Sequence, residues 1–204
     1  NCTKRYHIPF SSSNKQHLNR RSIAVLFGGD TEERQVSLMS GTNVWLKLRH
    51  SSQFNPRPYF LDKNKQVWPL PYTYALMHTV EDIYDCLESQ SAIKAGMEFE
   101  LPRIRKRLGL KECDINQVYP DAKPIPLESF IAMLSQEGCP LLIGLHGGFG
   151  ENGSLQGICD EENVSYNGSG VSISALGMDK YAFSNAVNSQ AIPTVSALKQ
   201  SHSF

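Results

Sequence analysis

Apolar positions along the chain come first as an unbroken run and then at helical spacing. "SIAVLFGG" (22–29) is continuously apolar and closed by glycines, the pattern of a strand covered on both faces of a parallel sheet. The next stretch, "DTEERQVSLMSGTNVWLKLRH", predicts a helix with Val36, Met39, Val44 and Leu48 at roughly helical spacing. Glu32 and Glu33 open it, and Lys47, Arg49 and His50 close it, as the helix dipole favours. Asp30 and Glu33 have the spacing of a capping box, with Glu33 at the third helical position. "RPYFLDKNKQVWPL" (57–70) predicts a second strand ending in a turn around Asn64. The chain thus opens strand–helix–strand, the unit of a doubly wound α/β domain with a mostly parallel sheet.

Farther along, "VEDIYDCLES" and "PLESFIAMLSQEG" predict helices, and "CPLLIGLHG" a central strand. "GSLQGICDEEN" predicts a short helix, and "VSYNGSG" a strand and loop. "VSISALGMDKYAFSNAVNSQ" predicts one further helix, which Pro193 keeps from continuing. The pattern is weakest over 72–124. That segment carries a basic run (Arg103, Arg105, Lys106, Arg107, Lys111), which reads either as a solvated face or as a phosphate-binding patch.

Composition narrows the class. A 204-residue chain that is 40% hydrophobic and 20% charged can bury one core of ordinary size. Its formal net charge is zero, so no global field points to nucleic acid or an anionic membrane. The five cysteines (Cys2, Cys86, Cys113, Cys139, Cys159) are scattered and form no C-x-x-C pair. Neither a disulfide framework nor a zinc site is suggested, and a reducing cytoplasm is the expected setting. No apolar run approaches the roughly 18 residues a membrane span needs. Residues 1–21 hold Lys4, Arg5, Lys15, Arg20 and Arg21 and no acid. This basic, aperiodic stretch is expected to be disordered, either as a linker from a longer polypeptide or as a targeting segment or tail.

One motif invites a cofactor reading. In "LLIGLHGGFGENGSLQG", Gly148, Gly150 and Gly153 spell G-x-G-x-x-G after an apolar run and before a helix. A dinucleotide site would also need an acid at the end of the next strand to hold the ribose hydroxyls. Asn167 and Gly168 stand there instead, and Glu151 lies inside the glycine loop. A carboxylate about 4 Å from a pyrophosphate costs on the order of 1–4 kcal/mol per charge pair near a surface. Charge therefore argues against a dinucleotide.

The same loop offers a histidine at a strand end. His146 reads either as a hydrogen-bonded structural residue or as part of a site, because α/β sheets gather ligands beyond the carboxyl ends of their strands. If the first strand is parallel to it, "FGGDTEER" ends at the same edge and brings Glu33 to the same crevice. Two glycine-bearing loops, one acidic and one carrying histidine, suggest a polar small-molecule pocket.

Three blocks carry a resemblance. "AVLFGGDTEERQVSLMSG", "LHGGFGENGSLQG" and "NGSGVSISALGMDK", in this order, resemble the D-alanine–D-alanine ligase family of ATP-grasp enzymes. The likeness covers about 22–62 and 140–195. It implies a Rossmann-like pre-ATP-grasp fold over 22–168, with 169–204 as the first helical segment of a truncated ATP-grasp domain. It assigns Glu33 to the ammonium group of the first D-alanine, Val36 to the apolar wall of that subsite, and His146 to a place beside the same substrate. Glu33 and His146 are thereby the candidate catalytic residues, Lys180 matches a lysine that reaches the ATP phosphates, and no metal ligand is assigned.

The implied reaction is ATP-dependent ligation of two D-alanines, with ATP and Mg²⁺ as cofactors and the dipeptide serving peptidoglycan precursor synthesis. The resemblance allows a homodimer or a fusion to another cell-wall ligase. Gln35 departs from the acid many members carry. The metal ligands and most of the ATP site are expected beyond Phe204, so the 204-residue chain is expected to supply the first-substrate half-site and not to turn over alone. The alternatives are a non-catalytic remnant or binding module derived from such a ligase, and a ligase whose second substrate is not D-alanine.

Overall fold

The computed structural model describes residues 20–109, 115–118 and 120–195. The proposed basic tail therefore lies outside the described residues up to position 19, as do Lys111 of the basic run and residues 196–204. Strand β1 (Arg21–Gly28) starts one residue before the expected boundary and leads into helix α1 (Arg34–Arg49). Strands β2 (Phe54–Leu61) and β3 (Gln66–Pro69) form a hairpin where the sequence suggested one strand and a turn. Buried Asp62 organises that turn. Its carboxylate accepts from Asn64 N–H at 2.8 Å, Gln66 N–H at 2.9 Å and Trp68 Nε1–H at 3.0 Å.

Helices α2 (Val80–Glu88), α3 (Gln90–Leu108) and α4 (Ile115–Val118) follow, then the two-residue β4 (Ile125–Pro126) and α5 (Leu127–Glu137). Strand β5 (Leu141–Ile143) precedes α6 (Gly148–Glu151), α7 (Ser154–Glu161), α8 (Val171–Met178) and α9 (Lys180–Ser189). Among the described residues the sheet runs β4-β3-β2-β1-β5. Pairs β2–β1 and β1–β5 are parallel, whereas β3 and β4 add antiparallel strands at the far side.

Both faces of the sheet are covered, as the continuous apolar run of β1 predicts. Ala24 and Leu26 point to one side, where Phe130, Ile131 and Leu134 of α5 and Leu155 and Cys159 of α7 pack. Val25 and Phe27 point to the other, against Leu38 and Trp45 of α1 and Ile83 of α2. Each such fully buried side chain contributes roughly 1.5–3 kcal/mol relative to exposure. Burial also pushes the Cys159 thiol up to about 12, with the Asp160 carboxylate adding to the effect.

Four expectations need correction. The capping box does not form: α1 begins at Arg34, and Glu33 is its N-cap with no side-chain cap hydrogen bond. The buried face of α1 is Ser37, Leu38, Gly41 and Trp45, while Val36 and Met39 are 52% and 66% exposed. Close approach decides this. Gly41 lies so near Phe27 that a Cβ there would stand 2.5 Å from the Phe27 Cβ. Strand β5 is a short strand at the sheet's end and not a central one; Asn167 pairs both ways with Ile143, accepting at 2.6 Å and donating at 3.2 Å. Beyond Gly170 there are two helices where one was expected. Asp179 leaves the helical region (φ −89°, ψ 91°), and its carboxylate accepts from Tyr181 and Ala182 N–H to start α9 afresh.

Candidate functional site

The site grows from the carboxyl ends of β1 and β5. Because these strands are parallel neighbours, the loops after them emerge at one edge of the sheet, as the strand reading requires. Ser37, fully buried on α1, holds that edge together. Its hydroxyl accepts from Gly28 N–H at 2.9 Å and donates to the Gly144 carbonyl at 2.8 Å, tying α1 to both strand ends. A second tie joins the loops themselves, where Thr31 Oγ1 donates to the His146 carbonyl at 2.9 Å.

Close contacts shape the glycine loop. Gly147 has φ +70°, and a Cβ on it would stand 2.9 Å from Glu33 Oε2. The Glu33 carboxylate therefore lies directly over the backbone that follows His146. Gly153, the last glycine of the motif, has φ +93°, and a Cβ there would meet the Val171 carbonyl at 2.7 Å. A shallow cleft between the loops is lined by Gly29, Thr31, Leu61, Leu145, His146 and Phe149.

His146 is oriented from both sides. Its Nε2 lies 2.9 Å from Ser40 Oγ, and its Nδ1 lies 3.8 Å from Glu151 Oε1. The Ser40 hydroxyl also lies within reach of the Val36 carbonyl at 2.9 Å and the Ser37 carbonyl at 3.2 Å, so it can either accept from His146 Nε2–H or donate to Nε2, according to the ring's tautomer. Nδ1 is the ring atom that faces Glu151, so protonation there creates an ion pair. Glu151, which argued against a dinucleotide, is thus the histidine's neighbour.

Glu33, Val36 and His146 are brought together, although they come from two distant blocks. Glu33, Val36 and Ser40 sit at i, i+3 and i+7, one face of α1. Val36 is exposed on that face and takes no part in the core. Lys180 stands apart. It is exposed at the first position of α9, and among the described residues no hydrogen bond or ion pair links it to Glu33 or His146. Thr31, Ser37 and Ser40 were missed by the sequence reading. The available signal was a pair of short hydroxyl side chains inside a helix that faces a sheet edge.

Comparison with known proteins identifies the family and the fold. The family model for the D-ala D-ala ligase N-terminus matches residues 22–169. The D-alanine–D-alanine ligase of Leptospira interrogans (strain Fiocruz L1-130) is 32% identical over 158 residues, covering 78% of this chain and 36% of that protein. That of Lacticaseibacillus casei (strain BL23) is 30% identical over 159 residues, covering 78% and 39%. Among solved structures, the D-alanine–D-alanine ligase from Helicobacter pylori aligns with a TM-score of 0.54 at 16% identity, covering 87% of this chain and 47% of that one. The VanG D-Ala:D-Ser ligase from Enterococcus faecalis aligns at 0.51 and 18%, covering 85% and 43%. At these identities the solved structures speak for the fold. The chain spans less than half the length of each of these relatives. With the family model matching well over half of its residues, the chain belongs to the D-Ala–D-Ala ligase N-terminus family.

Proposed function

We propose that this chain supplies the first-substrate half of an ATP-dependent ligase that joins two D-alanines into the dipeptide used for peptidoglycan precursors. In this reading the Glu33 carboxylate takes the ammonium group of the first D-alanine, Val36 flanks its methyl group, and His146 orients the substrate from the opposite loop. The observation that carries it is the meeting of the two loops. Glu33 spends nothing on capping α1 and lies over Gly147, while Ser40 holds the His146 ring beside it. An exposed carboxylate next to an oriented imidazole at a strand-end cleft suits a zwitterionic amino acid, whose ammonium and carboxylate need opposite partners.

Lys180 is assigned in the same reading to the ATP phosphates, a task that suits a compact ammonium on a helix start. ATP and Mg²⁺ are the cofactors of the proposed reaction. Among the described residues no group of three or more His, Cys, Asp or Glu could hold a metal ion, and Lys180 is a single exposed cation. These residues do not make up a magnesium–nucleotide site, and no phosphoryl step is assigned to them. A cytoplasmic setting accords with the proposed nucleotide and precursor chemistry.

Titration of the ¹⁵N-labelled chain with D-alanine tests the proposal. Shifts are expected at Glu33, Val36, Ser40, His146 and Gly147. Glu33→Gln should weaken binding about tenfold or more, the loss of one charge-assisted contact. Unshifted resonances, or equal binding by Glu33→Gln, would overturn the reading. With ATP, Mg²⁺ and D-alanine, the 204-residue chain is expected to release no ADP.

A further inference from the structure

A zwitterionic amino acid needs a cation as well as the Glu33 carboxylate, yet among the described residues no lysine or arginine lines the cleft. Apart from His146, the charged groups around it are acids: Asp30 in the lining, Glu33 over Gly147 and Glu151 beside the histidine. One cation reaches the rim from a third element. Strand β2 runs parallel to β1 with Leu61 beside Gly28, so the turn between β2 and β3 leaves the sheet at the same edge as the two loops. Leu61 itself lines the cleft, and its carbonyl accepts from Gly29 N–H at 2.8 Å, joining the turn to the acidic loop. From that turn, Lys65 Nζ stands 4.5 Å from the centre of the Phe149 ring, and Phe149 lines the cleft from the glycine loop.

The turn that carries this side chain is braced on several sides. Besides the three bonds to the Asp62 carboxylate, Lys65 N–H donates to the Asp62 carbonyl at 3.1 Å, and Lys63 N–H donates to the Tyr84 hydroxyl of α2 at 3.2 Å. Lys65 has φ +57°, in the left-handed region, where glycine is unstrained, asparagine is common and lysine is disfavoured. Asn64, which would suit that position, stands one place earlier. Backbone strain of this kind gathers at ligand-binding sites. None of the ion pairs among the described residues uses Lys65, so its charge is not spent on holding the turn. The aromatic face of Phe149 steadies the ammonium and leaves it N–H donors for a ligand.

We propose that Lys65 is a substrate-positioning residue, whose ammonium takes the carboxylate of the same amino acid that Glu33 holds by its ammonium. The assignment rests on reading the cleft as an amino-acid site. The loop after β1 then supplies the anion, the β2–β3 turn the cation and the loop after β5 the imidazole, so three segments at one sheet edge read both charges of the ligand. A free amino acid is preferred over its amide, because only the acid offers the carboxylate. Lys65 is exposed, so salt weakens the contact.

Calorimetric titration of the 204-residue chain with D-alanine and with D-alaninamide, which keeps the ammonium and lacks the carboxylate, tests this. Lys65→Gln is expected to weaken D-alanine binding about fivefold and to leave D-alaninamide binding unchanged. Lys65→Arg keeps the charge and should bind D-alanine within about twofold of the parent. Lys65→Gly should lose the same affinity without lowering the urea midpoint, since glycine relieves the φ of +57°; a purely structural lysine would lose stability there. A Lys65→Gln chain that binds D-alanine as the parent does overturns the proposal, and so does an equal loss for both ligands. If D-alanine binding depends on Glu33 and ignores Lys65, this assignment alone falls. If the parent binds neither ligand, the amino-acid reading of the cleft falls with it.

Discussion

The Thr31 hydroxyl donates a 2.9 Å hydrogen bond to the carbonyl of His146, 115 positions away in sequence. This one bond fastens the loop after β1 to the loop after β5 and sets the distance between the acidic and the imidazole sides of the cleft. It acts on the backbone of His146, so it fixes where the ring starts, whereas Ser40 fixes where the ring points.

Removing that tie is expected to cost little stability and more function. Thr31→Val keeps the shape and deletes the donor, a loss of about 0.5–1.5 kcal/mol in a part-buried position. Urea denaturation should show a change of that size, with D-alanine binding weakened up to about tenfold. A variant that binds as well as the parent would show that the loops hold their spacing without Thr31.

Gly147→Ala should likewise weaken binding more than folding. At φ +70° an alanine pays about 1–2 kcal/mol of backbone strain. Its Cβ would also stand 2.9 Å from Glu33 Oε2 and push that carboxylate aside. Binding of D-alanine is expected to fall by more than the stability loss accounts for, as read by comparing calorimetric affinity with the denaturation midpoint.

Two glycine-to-alanine changes on helices should differ in sign. Gly41→Ala gains about 0.5–1 kcal/mol of helix propensity. It also drives a methyl group to 2.5 Å from the Phe27 Cβ, an overpacking that costs typically about 1–3 kcal/mol. A net loss is expected. Gly96→Ala, on α3 with no atom within 4 Å of the added Cβ, should keep the propensity gain and raise the melting temperature.

Alkaline stability should carry the mark of Cys159. Its thiol is raised from 9.0 to about 12 in the folded chain, so the unfolded chain loses that proton first. The contribution is fully present below pH 9 and is lost as pH rises from about 9 toward about 12. Stability measured against pH should therefore fall less steeply above pH 9 in Cys159→Ala than in the parent.

By itself the sequence determined the α/β class, both strands that frame the site, and the blocks holding Glu33 and His146. Those follow from local rules: an apolar run such as "AVLF" closed by glycines is the pattern of a short strand covered on both faces. The tertiary structure decided the rest. Val36 and Met39 have the spacing of a core stripe, yet α1 turns Ser37 and Gly41 inward, because helix–sheet distance favours the smallest side chains where Phe27 projects. Glu33 has the spacing of a cap, yet its carboxylate makes no cap hydrogen bond because the helix begins at Arg34, three residues later than that spacing places it. Thr31, Ser40 and Glu151 acquire their roles only when β1 and β5 lie side by side, since a hydrogen bond depends on position in space and leaves no period in the chain.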